Sequence, residues 1–327
     1  MAVRVGIPQA LLYYDHYPAW KAFLQSCGCE VVRSGATTEQ TLRRGVEVGE
    51  NELCLPVKTF FGHVVELDGE VDVIFVPRVV SMRRRTFTCP KLLGLPDMSR
   101  AHGLTSVVVA PLIDLRRGWR ALVREAVATG EKLGATPKQS VVGLARGVAA
   151  YRRHEHEMRT GKLLRLPEGR EDLAGGRPLR VGVAGHPYNI YDTHTSNQVL
   201  RRLAERGIEV LTPDMLSRSR LRHAAGSLPK PLFWSCEERL VGAVQHWVDR
   251  GLVDGVIYML SFACGPDSFV EVLIEDAAAQ GKRGAVPLLS LVMDEHGAEA
   301  GFVTRIEAFV DMLGRRHGRP VLSEAGA

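Results

Sequence analysis

Short apolar runs alternate along the chain with longer segments in which apolar residues recur every three or four positions. The short runs predict buried strands, and the longer pattern predicts amphipathic helices. Strands that alternate with helices are typical of a parallel sheet covered by helices, so we predict an α/β fold. The predicted strands are residues 3–7, 31–33, 71–77, 105–110, 180–183, 209–211, 256–260 and 286–293.

The predicted strands fall into two groups of four, which indicates two Rossmann-like lobes with parallel sheets. Between the groups, residues 112–172 have helical periodicity, many Arg and Glu, and a strand candidate only at residues 140–142. A Gly- and Pro-rich patch then marks a boundary. We therefore predict an N-terminal lobe at residues 1–111, a helical connecting segment at 112–177 and a C-terminal lobe at 178–327.

The two lobes carry traces of an internal repeat. The string Arg-Val-Gly opens the first strand of both halves, and Asp72 and Asp254 occupy matching places before a later strand. Cys54 and Cys236 each lie 18 residues before these aspartates. Chance similarity between two α/β halves is the alternative. Two similar lobes predict a cleft between them, and ligands of open α/β sheets bind beyond the carboxyl ends of the strands.

Composition narrows the class of protein. The chain has 327 residues, 45% hydrophobic and 24% charged, which is typical of a soluble globular protein. No apolar run approaches the roughly 18 residues of a membrane span, and the start of the sequence predicts no export signal, so we expect a cytoplasmic protein. The net charge of +5 is spread in Arg doublets without interleaved aromatic residues. This pattern argues against nucleic acid and membranes as partners.

The six cysteines are too few for a disulfide scaffold. Cys27 and Cys29 lie where a helix turns into a strand, which favours a structural role. Cys54, Cys89 and Cys264 lie in loops, each within two residues of a proline and close to the predicted amino end of a helix. Backbone amides and the helix dipole favour a thiolate at such positions.

These three loop cysteines leave several kinds of site open. Their wide spacing does not match a zinc finger or a ferredoxin motif. A zinc site would need a fourth ligand, for which His63 or His186 is a candidate. An iron–sulfur cluster with three thiolates would leave one iron open to substrate. The remaining possibility is that the three cysteines have no joint role.

Four further residues are candidates for the same site. Lys58 and Lys91 each follow a loop proline and could neutralise an anionic cluster or a phosphate. His186 follows a strand and a glycine, so it could donate a proton or contact substrate, or it could simply pack in a turn against Tyr188. Glu299 begins a predicted helix, where it could act as a general base or as a capping residue.

Seven ordered strings between residues 3 and 313 resemble a known family. They are Val5-Gly-Ile-Pro-Gln-Ala-Leu-Leu-Tyr-Tyr14, Glu52-Leu-Cys-Leu-Pro-Val-Lys58, Val76-Pro-Arg-Val-Val-Ser81, Cys89-Pro-Lys-Leu-Leu-Gly-Leu-Pro-Asp97, Gly185-His-Pro-Tyr-Asn-Ile-Tyr-Asp192, Phe262-Ala-Cys-Gly-Pro-Asp-Ser268 and Asp294-Glu-His-Gly-Ala-Glu-Ala-Gly-Phe-Val-Thr-Arg305. Together they resemble the acyl-CoA dehydratase activase-related proteins. These are relatives of the cluster-bearing subunits of 2-hydroxyacyl-CoA dehydratases and of double-cubane cluster proteins.

The resemblance implies a [4Fe-4S] cluster between the two lobes, held by Cys54, Cys89 and Cys264. It also implies an ATP-dependent activase as electron donor, an acyl-CoA-like thioester as substrate, and a homo- or heterodimer. The chain would be a dehydratase-like lyase or an accessory subunit. Because no Gly-rich phosphate-binding loop of the activase type occurs in the sequence, we expect it to accept electrons and not to hydrolyse ATP.

Two other functions remain as alternatives. The first is a non-catalytic electron carrier or metal-trafficking module, in which Cys236 supplies a fourth thiolate. The second is a binding protein stabilised by zinc.

Overall fold

The computed structural model of the chain describes residues 2–82, 86–161, 177–297 and 299–318. Contacts divide the chain into two units. Unit 1 comprises Met1–Met158 and Leu232–Cys236, and unit 2 comprises Arg159–Pro231 and Glu237–Ala327. The predicted division into three parts, at residues 1–111, 112–177 and 178–327, stays a prediction.

Unit 1 contains two parallel sheets. Its strands are β1 (Arg4–Ile7), β2 (Glu30–Arg33), β3 (Val73–Phe75), β4 (Arg78–Ser81), β5 (Val107–Val109) and β6 (Leu112–Asp114). Four of them form the main sheet in the order β2-β1-β3-β5, and β4 pairs with β6. The four strands predicted for this half are confirmed, whereas β4 and β6 were not predicted. Both are short and only partly buried, so their apolar signal is weak.

Helices cover the sheet of unit 1 and connect its strands. They are α1 (Tyr13–Ser26), α2 (Glu39–Val48), α3 (Leu55–Leu67), α4 (Pro90–Ala101), α5 (Trp119–Lys132) and α6 (Pro137–Arg159). Residues 140–142 lie inside α6, so the strand candidate there is wrong. Val141 and Val142 are exposed on this helix, which explains how two adjacent β-branched residues imitate a strand.

Unit 2 contains one parallel sheet of four strands in the order β10-β9-β7-β8. The strands are β7 (Arg180–Gly185), β8 (Glu209–Leu211), β9 (Gly255–Ser261) and β10 (Leu288–Met293). The helices are α7 (Pro187–Tyr191), α8 (Val199–Glu205), α9 (Arg218–Ala225), α10 (Ser235–Arg250), α11 (Gly265–Ala279) and α12 (Glu299–Arg316). All four predicted strands are confirmed, and the parallel α/β fold class is confirmed in both units.

The two main sheets repeat one plan. In each, the first strand in the chain lies between the second and the third, and the fourth lies beyond the third. The N–H of Arg4 donates to Oδ2 of Asp72 at 2.8 Å, and the N–H of Asp72 donates to the carbonyl of Arg4 at 3.0 Å. In unit 2 the same exchange joins Arg180 to Asp254, at 2.8 and 2.7 Å. The predicted internal repeat is therefore confirmed in strand order and in hydrogen bonding.

Close helix crossings fix the helices that carry candidate residues. A Cβ built on Gly45 of α2 would lie 1.9 Å from the carbonyl oxygen of Lys58 on α3, so only glycine permits this approach. In unit 2 a Cβ on Gly242 of α10 would lie 2.2 Å from the carbonyl oxygen of Leu221 on α9. These backbone contacts set the directions of α3 and α10.

Among the described residues, the structure contains no helix with the length and apolar character needed to cross a membrane.

Candidate metal centre

Cys54 and Cys89 occupy equivalent places at the starts of two helices of unit 1. Cys54 is the N-cap residue of α3 and Cys89 is the N-cap residue of α4, and both helices have proline in their first two positions. The position expected from the sequence is confirmed for both. Cys54 is buried and Cys89 is half-buried. The free N–H groups and the dipole at a helix start stabilise a thiolate there.

Lys91 links the loops of these two cysteines. It lies two residues after Cys89, and its Nζ donates to the carbonyl oxygen of Glu52 at 2.9 Å, two residues before Cys54. Lys58 lies one turn into α3 and is 3% exposed. Its side chain lies beside the α2–α3 crossing, because a Cβ on Gly49 would contact its Cγ at 3.4 Å. The proposed roles of both lysines toward a cluster or a phosphate stay predictions.

Cys236 lies in the segment Leu232–Cys236, which contacts assign to unit 1. This segment pairs with Phe87 through two backbone hydrogen bonds. The N–H of Phe87 donates to the carbonyl of Phe233 at 2.9 Å, and the N–H of Ser235 donates to the carbonyl of Phe87 at 3.1 Å. The rings of Phe87 and Phe233 stack at 4.7 Å. Since Phe87 lies two residues before Cys89, this pairing ties the Cys236 segment to the Cys89 loop.

Cys264 stands in a different environment, in the loop between β9 and α11 of unit 2. It is the N-cap residue of α11, as expected, and is 8% exposed. The preceding residue, Ala263, has a φ of 60°, a left-handed conformation that costs a non-glycine residue free energy. His186 directly follows β7, the strand next to β9, and a ring nitrogen of His186 lies within 4.8 Å of the Cys264 sulfur.

Asp267 completes a buried group with these two residues. Its Oδ1 lies 2.9 Å from Nε2 of His186, and it has no exposed surface. The nitrogen, sulfur and oxygen atoms of His186, Cys264 and Asp267 all lie within 4.8 Å of one another. Within the part of the chain that the structure describes, this is the one such group of three or more His, Cys, Asp and Glu residues.

Buried partners hold Asp267 and shift the pKa values of its neighbours. Tyr258 donates its hydroxyl to Oδ1 at 3.3 Å, and the N–H of Ser261 donates to Oδ2 at 3.2 Å. Burial, with the nearby Asp267 charge, raises the pKa of Tyr258. Burial also raises the pKa of the Cys264 thiol, while the neighbouring His186 acts against that rise. Metal binding would have to displace this thiol proton.

Cys264 and His186 are candidates from the sequence, whereas their neighbours Asp267 and Glu237 are not recognisable from it. Asp267 lies in the first turn of α11, and this position suggests only a capping role. Glu237 is 3% exposed and its Oε1 lies 3.8 Å from Nε2 of His186. His186 also stacks on Tyr188, with centroids 4.9 Å apart, so the turn-packing interpretation of His186 holds as well.

Other candidates lie in surroundings of their own. His63 is fully buried in α3, with Nε2 3.0 Å from the Thr37 hydroxyl and Nδ1 3.5 Å from Glu66. Glu299 is the first residue of α12 and forms an ion pair with Arg202. Its predicted role as a base is not tested by this geometry.

Cys27 and Cys29 lie at the turn between α1 and β2, and both pack in the core of unit 1. Gly28, with a φ of 85°, permits this turn. The N–H of Cys29 donates to the carbonyl of Leu24 at 3.1 Å, a bond that closes the end of the helix. Burial raises the pKa of the Cys29 thiol to about 11. All six cysteines lie among the described residues, and none of them forms a disulfide.

Comparison with protein families gave two matches. Residues 4–216 match the family described as the CoA enzyme activase uncharacterised domain. Residues 176–313 match the family described as 2-hydroxyglutaryl-CoA dehydratase, D-component. A search of curated proteins gave no match.

Proposed function

The chain belongs to the family of the CoA enzyme activase uncharacterised domain and is related to the 2-hydroxyacyl-CoA dehydratases, and from this premise we propose that it is a [4Fe-4S] protein. It accepts low-potential electrons for reductive or radical chemistry on an acyl-CoA-like substrate. The electron donor is an ATP-dependent activase. The observation that carries the proposal is the placement of Cys54, Cys89 and Cys264, each as the N-cap residue of a helix.

The donor set of the chain fits such a cluster. Cys54, Cys89 and Cys264 form no disulfide, and thiolates are the usual protein ligands of iron–sulfur clusters. Each lies where unpaired helix N–H groups and the positive end of a helix dipole stabilise negative charge. Prolines at the starts of the three helices stiffen the loops. When bound through three thiolates, the cluster offers one iron to substrate and stores one electron.

The residues around these thiols have separate tasks in the proposal. Lys91 lies two residues after Cys89 and holds the start of α4 to the Cys54 loop through the Glu52 carbonyl, two residues before Cys54. His186 and Asp267 surround the Cys264 sulfur. Because these groups are held by hydrogen bonds before any ligand arrives, little reorganisation is needed to bind an anionic cluster.

Iron and sulfide analysis after anaerobic reconstitution tests the proposal. We expect about four irons and four sulfides per chain, as the cluster formula requires. Single Ala variants of Cys54, Cys89 and Cys264 should lose most of this content. Cys27→Ala is the matched control, because Cys27 is a buried thiol of the α1–β2 turn, and it should load like the wild-type protein. A wild-type protein without iron, or unchanged loading in all three variants, would overturn the proposal.

Substrate access is tested on the reconstituted protein. After reduction, its electron paramagnetic resonance spectrum should shift when 2-hydroxyglutaryl-CoA is added and should not shift with free coenzyme A. A spectrum that ignores every 2-hydroxyacyl-CoA offered, in a fully loaded protein, would argue against substrate chemistry at an open iron.

A second candidate function is a non-catalytic electron carrier or metal-trafficking module in which Cys236 is a fourth ligand. The pairing of the Cys236 segment with Phe87, close to Cys89, favours it. The repeat favours it too, since Cys236 corresponds to Cys54. If Cys236→Ala alters the cluster spectrum and lowers its stability, the carrier is supported. An unchanged spectrum supports the three-cysteine site.

A further inference from the structure

Three side chains with different metal-binding atoms meet in the interior of unit 2. His186 follows β7, Cys264 is the N-cap residue of α11, and Asp267 lies in the first turn of that helix. All three are buried, and their ligand atoms, one nitrogen, one sulfur and one oxygen, lie within 4.8 Å of one another. Imidazole, thiolate and carboxylate are the side-chain groups that bind zinc in proteins.

The spacing of these atoms is close to that of ligands around a single ion. Bonds of about 2.0–2.3 Å from zinc to N, O and S place the ligand atoms of a tetrahedral site about 3.4–3.6 Å apart. Nε2 of His186 lies 2.9 Å from Oδ1 of Asp267, and every pair of atoms in the group lies within 4.8 Å. Side-chain movements on the order of 1 Å therefore suffice to form the bonds.

The ligand side chains are already oriented by groups outside the set. The Tyr258 hydroxyl donates to Oδ1 of Asp267 at 3.3 Å, and the Ser261 N–H donates to Oδ2 at 3.2 Å. The ring of His186 stacks on Tyr188, with centroids 4.9 Å apart. Partners of this kind strengthen metal binding, because the ligands lose less side-chain freedom when the ion enters.

Negative charge also gathers around His186. Glu237 is a second buried carboxylate, and its Oε1 lies 3.8 Å from Nε2 of His186. Two carboxylates and a thiolate beside one imidazole favour a dication, which offsets the cost of burying negative charge. Since Glu237 lies this close to a ligand nitrogen, it is the candidate for the fourth position of a tetrahedral ion.

We propose that His186, Cys264 and Asp267 bind one zinc ion. Glu237 takes the fourth position, and the proton of the Cys264 thiol is released to solvent as the ion binds. The inference goes beyond the proposed function, because this site lies within unit 2 and needs no residue of unit 1. Since the sulfur of Cys264 is also a proposed cluster ligand, zinc bound here blocks assembly of the cluster.

Titration of the metal-free chain with Co2+ tests the site, because cobalt(II) adopts the same tetrahedral geometry and its bond to a thiolate absorbs in the near ultraviolet. We expect one Co2+ per chain and loss of the band when Zn2+ is added. Cys264→Ser should abolish the band, and His186→Gln and Asp267→Asn should each weaken binding by about tenfold or more. The latter two keep the size of the side chain, so they test the site even if Cys264→Ser does not fold. Wild-type protein without the band, or equal affinity in the variants, would overturn the inference.

Further variants locate the ion. Cys27→Ala removes a buried thiol of unit 1 and His194→Leu removes an exposed histidine of unit 2, so both are matched controls and should bind Co2+ like the wild-type protein. If Cys54→Ala or Cys89→Ala loses the cobalt band, the ion depends on thiols of unit 1, and the inference is overturned.

Reconstitution separates this inference from the proposed function. If cobalt binds as described and the wild-type protein takes up no iron, the proposed function fails and this inference stands. If the cluster loads and the cobalt band is absent, the reverse holds. Where both are present, one equivalent of Zn2+ added before reconstitution should prevent most of the iron uptake of the wild-type protein and leave that of His186→Gln unchanged. Equal loading of the wild-type protein with and without zinc would overturn the block on cluster assembly.

Discussion

The repeat offers a matched pair of glycines for a quantitative test of packing. Gly6 and Gly182 occupy the same place in β1 and β7, and a methyl group added at each meets different neighbours. At Gly182 the new Cβ would lie 2.6 Å from a ring carbon of Trp247, which is fully buried. Carbon atoms pack at about 3.5–4.0 Å, so the ring must move by about 1 Å in a filled core. Overpacking of this kind typically costs about 1–3 kcal/mol.

At Gly6 the added Cβ would meet Val71 at 3.0 Å and the Leu67 methyl groups at 3.1 and 3.2 Å. These atoms are the ends of flexible side chains, and they need to move only about half as far as the Trp247 ring to relieve the contact. Both substitutions reduce the conformational entropy of the unfolded chain equally. The difference between their free energies of unfolding therefore measures the crowding in the folded state.

Thermal and urea unfolding followed by circular dichroism measure the difference. Gly182→Ala should lower the free energy of unfolding by roughly 1–2 kcal/mol more than Gly6→Ala. For a unit of this size, each kcal/mol lowers the Tm by about 2–4 °C. The cost should shrink in a Trp247→Leu background, since that variant removes the ring that the methyl group meets. A Gly182→Ala protein as stable as Gly6→Ala, or a cost unchanged by Trp247→Leu, would refute this account of the core.

Two further predictions concern charge and protonation. Asp254→Ala should lower the free energy of unfolding by roughly 1–3 kcal/mol, because the Arg180 N–H and the Arg177 guanidinium lose a nearly buried acceptor. Urea unfolding measures this loss, and Asp254→Asn should recover part of it. Burial raises the pKa of Cys29 from 9.0 to about 11, so the folded protein keeps a proton that the unfolded chain loses, and stability should fall as the pH rises through this interval. Cys29→Ala should abolish that alkaline component of the urea midpoint, and an unchanged slope would contradict it.

The strands predictable from sequence are those whose burial is complete. Every residue of β9 is buried and β7 is nearly so, so their apolar runs stand out from the neighbouring helices. β4 and β6 pair with each other and present polar residues such as Arg78 and Asp114. Each of these strands forms only by pairing with a segment far away in the sequence, so no local sequence pattern predicts it.

The thiols were easier to position than their surroundings. A proline just after a cysteine predicts a helix start, since proline is favoured in the first turn of a helix, and this holds for Cys54, Cys89 and Cys264. Asp267 could be recognised as part of the same group only through its contact with His186, which depends on the packing of two loops. Asp267 is thus a capping residue by its position in the sequence, and only the packing of His186 and Asp267 in the folded unit brings it close to the Cys264 thiol.

The repeat shows which strands of each sheet are neighbours, and this predicts which strand-end residues come together. In both units the first strand lies beside the third, so residues that follow these two strands meet at one edge of the sheet. In unit 2 these residues include His186 and Cys264. The repeat therefore includes the strand order and the spacing of Cys54 and Cys236, whereas the neighbours His186 and Cys264 belong to unit 2 alone.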